Sequence, residues 1–403
     1  MKAISGVMAA VVVIGAAACA AKQRPESKET AMANWHVKMQ VLSESLSRLI
    51  PLTSSPRAFN SPDNKELILS ELKSLKSVAH AVSATDVKPN RDPGFEFMAS
   101  RFASNMDEAV RNLEEGNRTY ARRLIQQSTA HCIACHTRTP DGRSDLQLSS
   151  LANLKHLSKL ERVNFFIAVR DYDKALNTFD EMVNSTDAQL ENPHDMEISA
   201  EKALAIAVRV KRDPHLADEL VSRIIDAKWA PVYLRLNASA WKKSIKEWRQ
   251  EPELGKLSAK AQLDLAKRIM GQGWKANAAS PSGQAGLVHF LRASTILHEL
   301  LGKAESQPQY PEYLYYAGLA AENMRDMNLW TLQDAYYEAC VRKAPKTKTA
   351  KKCYLRYEAI QMSSYATDEG AFLPRDVRDR LIELRTLSQG DNDQLYDWDF
   401  PKE

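Results

Sequence analysis

Apolar residues recur every three or four positions through most of this chain, with polar breaks between the runs, so the pattern predicts an all-α protein with no evident strands. Trp35, Met39, Leu42, Leu46 and Leu49 place one apolar stripe on a first helix from about Met32 to Ile50, which Pro51 is expected to stop. Asp63 as N-cap, with Glu66 three residues on, reads as a capping box. It opens a second helix whose stripe runs through Ile68, Leu72, Leu75, Ala79 and Val82 and ends near Ser83. Met98, Phe102, Met106, Ala109 and Leu113 give a third stripe, after which Gly116 and Asn117 supply a stop and a new start. The fourth helix carries Tyr120, Leu124, Ser128 and His131 and closes on Cys132-Ile133-Ala134-Cys135-His136. Four helices with one apolar face each, joined by short or moderate loops, predict an antiparallel bundle over residues 30–140.

Residues 141–150, polar and close to Pro140 and Gly142, read as a linker. Within Leu157 to Val183, the residues Phe165, Phe166, Tyr172, Ala175, Phe179 and Met182 resemble a tetratricopeptide helix pair, with small Ala175 where two helices approach closely. A degenerate second copy is expected, with Ala203, Ala205 and Ala207 on one helix, Ala217, Val221 and Ile224 on the next, and an enlarged loop around Asn192-Pro193. Helical periodicity continues through Val232 to Trp248, Leu257 to Met270 and Leu287 to Ala304, with Gly271 to Gly286 as the expected break. Pro311 opens a late pair marked by Leu314, Ala317, Gly318 and Ala321, then by Ala335 and Ala339, and a further helix covers Ala350 to Met362. Residues 151–387 are therefore expected to form a solenoid-like helical-repeat domain, and 388–403 an acidic tail. Tyrosines between Tyr310 and Tyr337 are either core or a concave face that grips a peptide. The basic run Arg342, Lys343, Lys346, Lys348, Lys351 and Lys352 reads as a solvated face.

The start of the chain changes the compartment. Lys2 precedes an apolar run from Val7 to Ala18, too short to span a bilayer and ending in small residues, so residues 1–18 read as a cleaved export signal. Ala16-Ala17-Ala18-Cys19 resembles a bacterial lipoprotein signal, which implies a lipid on Cys19 and a membrane anchor facing the periplasm; ordinary cleavage near Ala18 or Ala20 is the alternative. The remaining composition, 44% hydrophobic and 26% charged, is that of soluble proteins, and a net charge of +4 is too small to imply nucleic acid as a partner. Each of the five cysteines has an assignment: Cys19 to lipid, Cys132 and Cys135 to a cofactor, and Cys340 and Cys353 as a pair able to form a disulfide. Such a bridge stabilises by roughly 3 kcal/mol through the chain entropy it removes.

The spacing C-x-x-C-H has a direct chemical reason. Two thiols three residues apart on one helical turn can add to the two vinyl groups of a haem, and the adjacent imidazole then reaches the iron. Cys132 and Cys135 are thus expected to hold one covalent haem c, with His136 as proximal iron ligand. A thioredoxin-like site would need a strand before the motif, and a closed zinc site a second pair of ligands; neither is present in the sequence.

The helix order, with this motif near the end of the fourth helix, resembles the cytochrome c-prime family and its low-spin relatives over about Met32 to Pro140. That resemblance implies that Met39 faces the open side of the iron. Trp35, His36 and Val37 stand where the family usually has an Arg, and Thr137-Arg138-Thr139 lacks its aromatic after the proximal His. With Met39 on the iron, the site is six-coordinate His/Met and suited to electron transfer; with Met39 only packed there, the iron is open to a small gas. His36 is the weaker ligand candidate, and His131 is expected at the surface or beside a propionate.

The first functional expectation is an electron carrier in the periplasm whose helical repeats bind a redox protein or peptide. A non-enzymatic gas or redox sensor or scaffold is second. An enzyme is third, since no Ser/His/Asp, H-E-x-x-H or phosphate-loop motif is found.

Overall fold

The computed structural model describes residues 28–84, 92–138, 154–185, 192–303, 305–324, 331–368 and 370–389. The export segment 1–18, Cys19, the linker 141–150 and the tail from residue 390 onward lie outside them. Among the described residues the chain is all-α, with sixteen helices packed largely in sequence. None of these helices is long and apolar enough to cross a membrane.

Four long helices, α1 (Lys28–Ser54), α3 (Lys65–Ser83), α4 (Pro93–Glu114) and α5 (Arg118–His136), pack side by side, with α1 also touching α5. The short α2 (Pro56–Asn60) closes one end with Phe59, which is fully buried. Two sequence expectations are corrected here. Helix α1 does not stop at Pro51 but runs to Ser54. Its last turn is satisfied from outside, because the Thr53 carbonyl accepts from Arg122 Nη1 at 2.7 Å and from Gln126 Nε2 at 3.0 Å. Asp63 is not the N-cap of α3; it lies in a tight turn, Pro62–Asn64, and Asn64 holds the cap position without a side-chain hydrogen bond.

The second region begins with α6 (Lys159–Ala168) and α7 (Tyr172–Val183), followed by α8 (Pro193–Ala205), α9 (Pro214–Asp226) and α10 (Val232–Trp248). Ser158 and Glu161 form a reciprocal capping box at the start of α6. Then come α11 (Ala259–Ala278), α12 (Leu287–Lys303), α13 (Tyr310–Glu322), α14 (Leu332–Lys343), α15 (Lys348–Ser364) and α16 (Arg375–Ser388). The expected break at Gly271 to Gly286 shrinks, since α11 continues to Ala278. Gly273 is there for close approach: a Cβ on it would sit 3.0 Å from both His289 and Phe290 of α12. A two-residue hairpin, Ala366–Thr367 paired with Gly370–Ala371, is the strand structure that periodicity does not reveal.

Cys340 and Cys353 are joined by a disulfide between α14 and α15, with Cα atoms 6.2 Å apart. Tyr310, Tyr313, Tyr336 and Tyr337 are core residues, and Arg342 and Lys343 are ion-paired to Glu383 and Glu305. The later helices return to the bundle: α14 packs on α4, and one apolar core holds Met98 and Ala134 together with residues of α11 to α16.

Candidate functional site

The packing of the four long helices brings the first half of α1, the end of α3, the start of α4 and the end of α5 to one end of the bundle. A cavity of about 450 Å³ opens there, within the size range of small organic ligand sites. Cys132, Cys135 and His136 line it from α5, and Trp35, His36 and Met39 from α1. Phe95, Met98 and Phe102 add an apolar wall from α4, while Ala168, Val169 and Arg170 complete it from the turn between α6 and α7.

Both motif cysteines are free thiols. Their spacing places them on one face of the last turn of α5, and each keeps part of its surface toward the cavity. Burial, then the neighbouring Cys135, pushes the Cys132 thiol up to about 12, and burial also raises Cys135. Such thiols stay protonated at neutral pH, unlike the activated thiolate of a disulfide oxidoreductase.

Burial, and then the charge of Arg170, lowers His136 to about 3, so its imidazole is neutral and its lone pair is available to a metal. Nδ1 of His136 is buried without a hydrogen-bond partner, and the Ile167 and Ala168 backbone lies beside the ring. Among the described residues no group of three or more His, Cys, Asp and Glu side chains is gathered for a metal ion. A haem asks less of the protein, since the porphyrin brings its own nitrogens and needs only axial donors. Two thiols, a neutral imidazole and a largely apolar chamber fit that group.

The second helical region forms part of this site. Tyr172 donates from its hydroxyl to the His136 carbonyl at 2.9 Å, fixing the end of α5 against α7. His131, expected at the surface or beside a propionate, is half-buried. It lines the cavity with Nδ1 buried and unpartnered, and burial lowers it to about 4.

Behind the motif, Arg138 enters a polar cluster between α5, α4, α12 and α14. Its Nη1 donates to the Tyr336 hydroxyl at 2.7 Å and lies 3.3 Å from Asp92 Oδ2, while Tyr336 donates to the same oxygen at 3.0 Å. Gly94 N–H donates to the other Asp92 oxygen at 2.8 Å. Glycine is required at that position, because a Cβ would come within 2.6 Å of the Tyr336 hydroxyl. Burial alone would raise the Asp92 carboxyl, but His298 and Arg138 hold it well below the ordinary carboxylate range. His298 Nδ1 lies 3.0 Å from Asp92, yet burial and Arg138 lower it to about 4, so at neutral pH Arg138 is the counter-charge.

This sets the sign of one pH dependence. His298 is neutral when folded and titrates near 6.5 when unfolded, so between about 6.5 and 4 only the unfolded chain gains the proton. Its contribution is therefore fully present above pH 6.5 and is lost as the pH falls through that window, by at most about 3 kcal/mol. Denaturant midpoints compared at pH 7 and pH 4.5 should converge in His298→Gln relative to the parent chain; an unchanged difference would remove His298 from the acid response.

The candidates Cys132, Cys135, His136, Met39 and His36 thus meet at one cavity, and Cys340 and Cys353 lie elsewhere, in the α14–α15 turn. Sequence reasoning missed Met98 as a second cavity sulfur, Arg170 as a cavity wall, and the Asp92–Arg138–His298–Tyr336 cluster. Met98 was legible as part of an apolar stripe. Arg170 and the cluster carry no local signal. No protein-family model, no curated protein and no solved structure matches this chain.

Proposed function

We propose that this chain is an exported monohaem c-type cytochrome that carries electrons to or from a protein partner bound on its later helices. Cys132 and Cys135 would hold the haem covalently, His136 would be the proximal iron ligand, and Met39, from α1, a second ligand. One observation supports this above all: two unpaired thiols and a neutral imidazole share a single, mostly apolar cavity with two methionines contributed by other helices. The likeness of the first helices to the cytochrome c-prime family points the same way. So does the apolar N-terminal run, which supports export to the periplasm with Cys19 as the lipid-bearing residue.

When bound, haem supplies a one-electron iron couple. The protein would hold the group with an unprotonated His136, line it with Trp35, Phe95 and Phe102, and supply the Met39 thioether as a further donor. A His/Met pair keeps its geometry in both oxidation states, which suits transfer without rearrangement.

Absorption spectra of the haem-loaded chain with and without carbon monoxide test this reading. A low-spin spectrum is expected, with a methionine-to-iron band that is lost in Met39→Ala and unaffected by the gas. A high-spin spectrum that shifts on adding carbon monoxide would replace the carrier with a gas-binding protein. Loss of the band in Met98→Ala but not in Met39→Ala would move the ligand to α4.

A further inference from the structure

The cavity that takes the motif is incomplete without the second helical region, and the residue that region contributes with a charge is Arg170. Arg170 follows the end of α6 with φ 61°, in the left-handed conformation that favours glycine. Two hydrogen bonds fix it there, Arg170 N–H to the Ile167 carbonyl at 3.0 Å and Asp171 N–H to the Phe166 carbonyl at 2.8 Å. Glycine at this position would relieve the backbone at little cost, so an arginine there calls for a reason. A cation beside the last carbonyls of a helix is one. Arg212, which is paired with Glu299, and Lys346 share the left-handed conformation. Neither of those lines the cavity. Arg170 does, on the same cavity as Cys135 and His136.

We propose that Arg170 is a positioning residue that sets the reduction potential of the haem, a charge supplied to the bundle by the α6–α7 turn. This rests on the haem reading of the cavity. Reduction removes one positive charge from the iron, so a fixed cation at the cavity wall favours the reduced form. The carbonyl end of α6 is the negative pole of its helix and faces the His136 side, where it would favour the oxidised form. Arg170 offsets that pole. Because Tyr172 ties the same turn to the His136 carbonyl, a partner that shifts α6 and α7 would move this charge relative to the iron.

The test is a potentiometric titration of the haem-loaded full chain and of Arg170→Gly and Arg170→Lys. Arg170→Gly removes the charge while suiting the backbone, so it should melt no lower than the parent yet titrate lower. At a fixed poise its ratio of reduced to oxidised haem should fall about tenfold, equivalent to about 59 mV for one electron. Arg170→Lys should stay close to the parent. An unchanged potential in Arg170→Gly, or an equal drop in Arg170→Lys, overturns the role of the charge while leaving the haem in place. A colourless parent chain overturns the haem assignment and this inference with it.

Discussion

Replacing Cys132 and Cys135 together with alanine is expected to leave no haem on the chain that survives denaturation. The reason is chemical. Both thiols line the cavity, neither is in a disulfide, and burial keeps both protonated, so on the proposed reading both are available to add to the two vinyl groups of the haem. Either single replacement should keep one attachment and remain pigmented after unfolding. His136→Ala should keep both attachments and lose the axial bond, with a changed spectrum in place of lost pigment. Haem staining of denatured protein from a host competent in cytochrome maturation separates these outcomes. Full staining of the double variant would show that the motif does not carry the group.

Asp92→Ala is expected to destabilise the fold by about 3–5 kcal/mol, the usual cost of leaving one partner of a buried ion pair uncompensated. Asp92 is 3% exposed and the Arg138 side chain 8%, so the guanidinium stays largely out of water when the carboxylate is removed. Tyr336→Phe removes a single shared hydroxyl and should cost less, about 1–3 kcal/mol. Because the cluster joins α4 and the end of α5 to α12 and α14, the loss should appear in the global unfolding transition and not as local fraying. Denaturant unfolding of the haem-loaded chain measures it. A loss below about 1 kcal/mol would show that water or a rearranged side chain replaces the carboxylate.

Much of the fold is legible where one local rule decides it. The periodicity from Val232 to Trp248 gives α10 residue for residue, and Ser83 ends α3 as expected. Local rules fail where another element intervenes. Pro51 does not end α1 because donors from α5 satisfy the last carbonyls. Gly273 does not break α11 because α12 packs against the bare backbone there. Asp63 has the right spacing for a cap, but the chain makes a turn first and Asn64 takes the position.

The candidate site divides in the same way. Cys132, Cys135 and His136 fall within five residues, so their meeting at one cavity follows from local spacing on α5. Met39 is reached only through the likeness to a known family. Arg138 meets Tyr336 across 198 positions and Tyr336 meets Asp92 across 244, separations at which spacing holds no information. The wall formed by Ala168, Val169 and Arg170 is hidden for a related reason: it depends on how the second helical region folds back on the bundle.

The most direct measurement is the intact mass of the mature chain, produced in a maturation-competent host and stripped with acidified acetone. The account predicts one haem per chain still attached, localised by proteolysis to the peptide containing residues 132–136. A chain with its bare polypeptide mass, or a haem bonded to some other peptide, would contradict it.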